Sequence, residues 1–399
     1  MNSAAAVAAD IARPAVPAEL PAHLPSLDGV RGLAIALVVL HNANMLHHSA
    51  GVASRSVEWL AGLGWIGVQL FFVLSGFLIT RVLLETQGAR NFLSAFYVRR
   101  ALRIMPAYYS ALLGVFVLWP LFGHWPAVYA NDASHQVWLW LFLSNWSSAA
   151  GWGSDSLPHF WSLAVEEQFY LVWPFVVMRR SPRQVLIACA AVAAVALLVR
   201  VGLWLKHADA LVAYTLTVSR MDALACGAAI AALVQMPGML PKLVARRGQL
   251  LWAGLATLAF GKLVPHAYWM DDSFGQVIGY SILAVGFSFF VLAAACSEVA
   301  PSPVLHRVLC WRVLRVLGKY SYALYIVHPL VSAYIGVPAL GALLGSQSPG
   351  LWQSLAYVLG VALVSLALAW LSYHLIEKWF LGLKRFFVPE MPSARLASA

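Results

Sequence analysis

Apolar runs of roughly twenty residues alternate with short polar clusters along almost the whole chain. The runs lie near 27–46, 62–82, 104–122, 159–178, 184–205, 213–236, 249–265, 275–297, 316–338 and 351–376. An α-helix needs about 20 residues to cross the ~30 Å hydrocarbon core of a bilayer. Period-two alternation of strand length is absent, which argues against a β-barrel. The pattern therefore predicts an all-α, polytopic membrane protein with about ten transmembrane helices around a central cavity. One further apolar piece, Val137 to Trp146, is too short to span and is expected to be interfacial or re-entrant.

Composition agrees, with 61% hydrophobic and 11% charged residues among 399 and a mean hydropathy of +0.76. A soluble domain is excluded on that balance. The formal net charge of +10 is spread between the spans instead of over one soluble face, so nucleic acid is not an expected partner. Basic residues collect in alternate loops: Arg81, Arg90, Arg99, Arg100 and Arg103; Arg179, Arg180 and Arg183; Lys242, Arg246 and Arg247; Arg307, Arg312 and Arg315; Lys378, Lys384 and Arg385. The positive-inside rule then puts both termini in the cytoplasm. His47 and His48 would lie at the outer surface. Residues 1–26 are rich in Ala and Pro and lack the basic start and apolar core of a signal peptide, which predicts a disordered cytoplasmic tail. A transmembrane domain over 27–380 and a second cytoplasmic tail over 381–399 complete the division. Cys189, Cys226, Cys296 and Cys310 show no paired spacing, so neither a disulfide framework nor a metal site is indicated.

Ionisable side chains inside a bilayer are costly and usually face a partner or a cavity, so each is a candidate for function. The candidates are Asp28, Arg31 and His41 in the first span, Glu166 and Glu167 in the fourth, Arg220 and Asp222 in the sixth, and His328 in the ninth. Ser162, Glu166 and Tyr170 recur four residues apart and share a helix face, a stripe able to orient a hydroxylated ligand. Ser321, Tyr325 and His328 fall on one face of their span. Arg100 and Arg103 share a face at a basic loop, which suits phosphate oxygens but also a plain positive-inside anchor. Ser75 and Gly76 form a small pair whose default role is close helix packing.

Five motifs occur in order: LDGVRGLAIALVVLHN, VQLFFVLSGFLIT, FYVRRALRIMPAYY, FWSLAVEEQFYLVWP and LGKYSYALYIVHPLV. Together they closely resemble the membrane-bound acyltransferase 3 family, whose bacterial members O-acylate cell-surface glycans, over about residues 26 to 380. The resemblance implies an O-acyltransferase, most simply an O-acetyltransferase, of the bacterial inner membrane. Its donor would be cytoplasmic acyl-CoA, commonly acetyl-CoA, used as a substrate with no permanently bound cofactor and no metal. Its acceptor would be a hydroxyl of a carbohydrate or lipid-linked saccharide. By motif, His41 would be the catalytic histidine, with Glu166 as the catalytic acid of the fourth span. Arg31, Arg100 and Arg103 would meet the donor, and Ser162, Tyr170, Tyr325 and His328 would line the substrate path. The histidine would act as general base or accept the acyl group itself. Arg31 and His41 stand ten residues apart where the family spacing is eleven. On an ideal helix that leaves them about 80° out of line, so the winding between Gly32 and Asn42 decides whether they meet. The rival from another class is a proton-coupled transporter or exporter, which would show paired inverted repeats.

Overall fold

The computed structural model describes residues 19–46, 51–122, 130–264, 267–269, 272, 274–344 and 350–392. Most of the two expected tails (1–18 and 393–399), together with His47 and His48, lie outside them. The long helices are α1 (Pro25–Asn42), α2 (Val52–Gly62), α3 (Ile66–Glu85), α4 (Phe92–Leu113), α5 (Phe160–Val177), α6 (Pro182–Leu205), α7 (Thr217–Val234), α8 (Arg247–Leu263), α9 (Tyr280–Cys296), α10 (Arg312–Val331) and α11 (Leu351–Ser372). No strand occurs among the described residues, so the protein is all-α. Several helices run on through single π-wound turns, at Gly114–Leu118, Ser332–Gly336 and Tyr373–Glu377.

Seven helical segments among the described residues are long and apolar enough to cross a membrane, fewer than the ten runs marked in the sequence. α1, α5 and α8 fall outside that set. α8 has only 17 residues, while α1 and α5 carry the polar side chains singled out above. Their polar side chains turn toward the bundle, where protein replaces lipid around them, while Leu171, Val172 and Phe175 of α5 face outward.

Two helix crossings set the architecture, and both depend on glycine letting backbones touch. α3 meets α7 where a Cβ on Gly227 would lie 1.9 Å from Val73 O and one on Gly76 1.9 Å from Leu224 O. α1 meets α10 where a Cβ on Gly318 would lie 1.9 Å from Asp28 O and one on Gly32 1.9 Å from Leu314 O. Further along, Ala43 and Val331 share one apolar cluster, so α1 and α10 run parallel in fixed register.

The segments expected as tails are docked as far as they are described. Leu20 and Leu24 are buried, and Arg81 Nη2 donates to Leu20 O and Pro21 O at 3.1 and 2.8 Å. At the other end Arg90 N donates to Glu390 O and Asn91 Nδ2 to Val388 O. Residues 19–26 are thus part of the folded body, because Arg81 needs their carbonyls. The Val137–Trp146 stretch breaks into two short helices, Val137–Trp140 and Ser144–Ala149. Between them Phe142 adopts a φ of 54° and stacks on Tyr108 with centroids 4.0 Å apart.

Candidate active site

Two neighbouring cavities open among α1, α3, α4, α5 and α10. The inner chamber, about 110 Å³, is lined by Arg31 of α1, Ser75 of α3, Arg100 and Arg103 of α4, Ser162, Glu166 and Glu167 of α5, and Ser321 and Tyr325 of α10. A wider vestibule of about 610 Å³ is lined by Arg31, Arg103, Arg312, Arg315, Lys319 and Lys384, with His23 and Asp28. Arg31 and Arg103 border both, so the two spaces lie next to each other with these two guanidiniums between them. Along α10 the order is Arg312, Arg315 and Lys319 at the vestibule, then Ser321 and Tyr325 at the chamber.

The four-residue stripe on α5 does what its spacing predicts. Ser162 and Glu166 face the chamber, and Tyr170 continues the face with its ring 3.9 Å beneath the Arg100 guanidinium. Glu166 Oε1 accepts a 2.7 Å hydrogen bond from Ser75 Oγ, and Ser162 Oγ lies 2.6 Å from Tyr325 Oη. Arg100 Nε approaches Glu167 Oε1 at 4.0 Å, an ion pair too long for a hydrogen bond, and that buried N–H has no hydrogen-bond partner. Asp28 is shared between Arg31 Nη1 at 3.4 Å and His23 Nε2 at 2.9 Å. An arginine whose donors are not all used, inside a chamber fed by cations, is arranged to receive an anionic group.

His41 stands apart from this assembly. α1 is regular α-helix from Pro25 through Asn42, with no tighter turn between Gly32 and Asn42. Ten residues of unbroken helix therefore turn His41 away from the Arg31 face. Its Nδ1 lies 2.9 Å from Ala61 O at the end of α2, and it borders neither cavity. His328 does lie on the expected face of α10, one turn past Tyr325 and fully buried.

The family model described as an acyltransferase domain matches residues 24–374. The chain belongs to the acyltransferase 3 family. Among curated proteins it is 30% identical over 378 residues to the "Putative peptidoglycan O-acetyltransferase YrhL" of Bacillus subtilis (strain 168), covering 89% of this chain and 54% of that one. It is 27% identical over 372 residues to the peptidoglycan O-acetyltransferase OatA of Listeria monocytogenes, covering 89% and 55%. It is 26% identical over 371 residues to the O-acetyltransferase OatA of Staphylococcus aureus (strain NCTC 8325 / PS 47), covering 90% and 57%. The chain thus spans about half the length of the curated relatives it matches. No solved structure matches it.

Several residues of this acyltransferase 3 domain escaped the sequence reading. Ser75 was assigned to packing together with Gly76, yet Gly76 packs against α7 while Ser75, one position earlier, faces Glu166. A step of 100° separates the two roles. Arg312, Arg315, Lys319 and Lys384 carried no signal beyond the charge that every inner loop shares. His159, just ahead of α5, was not singled out although it is buried. Arg200 was also missed; it pairs with Asp222 at 2.9 Å, both side chains almost fully buried, and Ser281 Oγ bonds to Asp222 at 2.8 Å. That pair, with Arg220 held by Gln69 and ringed by Tyr280 and Tyr214, lies outside both cavities. Glu298, His306 and Cys310 bring their ligand atoms within 4.8 Å of one another, a cluster of metal-ligand type that sequence spacing gave no reason to expect.

Proposed function

We propose that the protein is a membrane O-acetyltransferase that takes the acetyl group from cytoplasmic acetyl-CoA and places it on a hydroxyl of a cell-envelope glycan. The observation that carries this reading is the adjacency of the two cavities, which share Arg31 and Arg103 in their walls. Six cationic side chains around the vestibule suit the phosphates of a nucleotide-bearing donor, with arginine forks and lysine point charges on its oxygens. The smaller chamber suits a narrow acyl thioester arm, brought to the hydroxyls of Ser75, Ser162 and Tyr325 and to Glu166.

In this reading Arg100 and Arg31 hold the arm and offset the carboxylates, Glu167 and the Tyr170 ring keep Arg100 in place, and Ser75 fixes Glu166. Peptidoglycan, which the names of two relatives specify, is the acceptor to try first. The vestibule then faces the cytoplasm of a bacterial inner membrane, with both termini on that side, in keeping with the basic loops. Acyl chemistry on a saccharide, without ion coupling, separates this from the transporter alternative.

The test uses the purified full chain in lipid nanodiscs with acetyl-labelled acetyl-CoA and a peptidoglycan fragment. Labelled O-acetyl ester on the glycan, with stoichiometric release of coenzyme A, is the expected result. Binding of acetyl-CoA without ester or thiol release would overturn it.

A further inference from the structure

Beyond the chamber, on the side away from the vestibule, two histidines meet. His159 precedes α5 and His328 lies near the end of α10, with ring centroids 5.6 Å apart. Both are at least nine-tenths buried, at 8% and 0% exposure. Tyr325, which lines the chamber, contacts both rings at 5.3 and 5.8 Å.

The hydrogen bonds fix which nitrogen of each ring is bare. His328 Nδ1 lies 2.9 Å from Tyr325 O and 3.2 Å from Leu324 O, and His159 Nε2 lies 3.2 Å from Ile326 O. A carbonyl oxygen only accepts, so those nitrogens carry the hydrogens. His328 Nε2 and His159 Nδ1 are then lone-pair acceptors, and neither has a partner. Buried polar atoms are nearly always satisfied, and two neighbouring orphans of the same kind point to a missing donor. Ser162 and Tyr325 cannot serve, since both hydroxyls are engaged with each other and with His159 O.

Depth along the bundle strengthens the case. The parallel register of α1 and α10 sets His328 level with Leu40 and His41. His41 at that level faces Ala61, whereas His159 and His328, which border neither cavity themselves, both touch Tyr325, a residue of the chamber wall.

We infer that His159 and His328 form the receiving site for the acceptor hydroxyl and that the pair supplies the general base for transfer. This rests on the acetyltransferase reading above. The hydroxyl donates into one bare nitrogen, and its proton passes there as its oxygen bonds to the thioester carbonyl carbon. The C–S bond breaks with its electron pair on sulfur, and the proton returns to that sulfur as the free thiol. Ser162 and Tyr325 hold the His159 carbonyl and so keep the pair in register with the chamber.

Side chains that keep the anchoring bond but lose the bare nitrogen test this directly. In His328→Asn the amide N–H stands in for Nδ1, and in His159→Gln for Nε2. Each is expected to lower kcat by 100-fold or more, in the ~10²–10⁴ range of a lost general base. The acetyl-CoA KM and the melting temperature of the protein in detergent should hold, and His328→Gly should regain turnover with added imidazole. Turnover within about threefold of wild type in both variants overturns the inference. So does a kcat loss matched by a rise in donor KM with no imidazole rescue, or loss confined to His41→Ala. Wild-type protein that makes no ester would instead defeat the acetyltransferase reading itself.

Discussion

Ser75 Oγ donates a 2.7 Å hydrogen bond to Glu166 Oε1, tying α3 to α5 across the inner chamber. A hydrogen bond to a carboxylate is worth about 1.5–3 kcal/mol, so its loss frees Glu166 within the chamber. Ser75→Ala is expected to lower kcat by about tenfold and Glu166→Gln by more, since Gln keeps the bond but removes the charge opposite Arg100. Initial rates of ester formation on both variants check this. Unchanged rates in both would remove Glu166 from the working site.

The vestibule cations should act on donor affinity alone. Arg312→Ala, Lys319→Ala and Lys384→Ala line the wide cavity but not the chamber. Each is expected to raise the acetyl-CoA KM by about three- to tenfold while kcat holds, and the effect should shrink as salt screens the phosphates. Kinetics at low and high ionic strength give the comparison. A kcat effect in these variants would place the cations closer to the chemistry than the geometry does.

Arg200 and Asp222 give a stability prediction free of catalysis. Their side chains are 0% and 2% exposed and sit 2.9 Å apart. Removing one partner of a buried pair costs about 3–5 kcal/mol, because the other charge is left without compensation. Asp222→Ala should therefore melt at a clearly lower temperature in detergent. An Arg200→Met, Asp222→Leu double substitution should recover much of the loss.

Glycine contacts divide cleanly into tolerant and intolerant sites. A Cβ on Gly227 would meet Val73 O at 1.9 Å, whereas one on Gly360 meets nothing within 4 Å. Gly227→Ala is expected to cut the yield of folded protein, since backbone must move, and Gly360→Ala to leave it unchanged. Size-exclusion profiles of the two variants decide it. A monodisperse Gly227→Ala would show that α3 and α7 can separate at little cost.

The sequence was most legible where a rule depends on neighbours along the chain. Hydropathy gave the all-α membrane class, and four-residue spacing on α5 placed Ser162, Glu166 and Tyr170 on one face, as the structure has them. Counting spans was less secure. α1 and α5 carry the polar side chains Asp28, Arg31 and His41, and Glu166, Glu167 and Gln168, and these pull the two helices below the hydropathy of a membrane span. Long-range contacts near the expected tail boundaries at 26 and 381 carried no sequence signal: the carbonyls of Leu20 and Pro21, and of Val388 and Glu390, are held by Arg81, Asn91 and Arg90 from distant positions.

By itself the chain determined its family, its helical membrane class and the polar residues carried into its spans, because these follow from local composition, period and motif order. Tertiary structure alone decided which of those residues meet. It took the unbroken winding of α1 to turn His41 toward Ala61. It took the glycine-tight register of α1 and α10 to bring His328 to the same depth, facing His159. A sequence records rotation about one helix axis, but the side chain that faces another across a cavity depends on how several axes are packed, and that is fixed by backbone contacts between segments hundreds of residues apart.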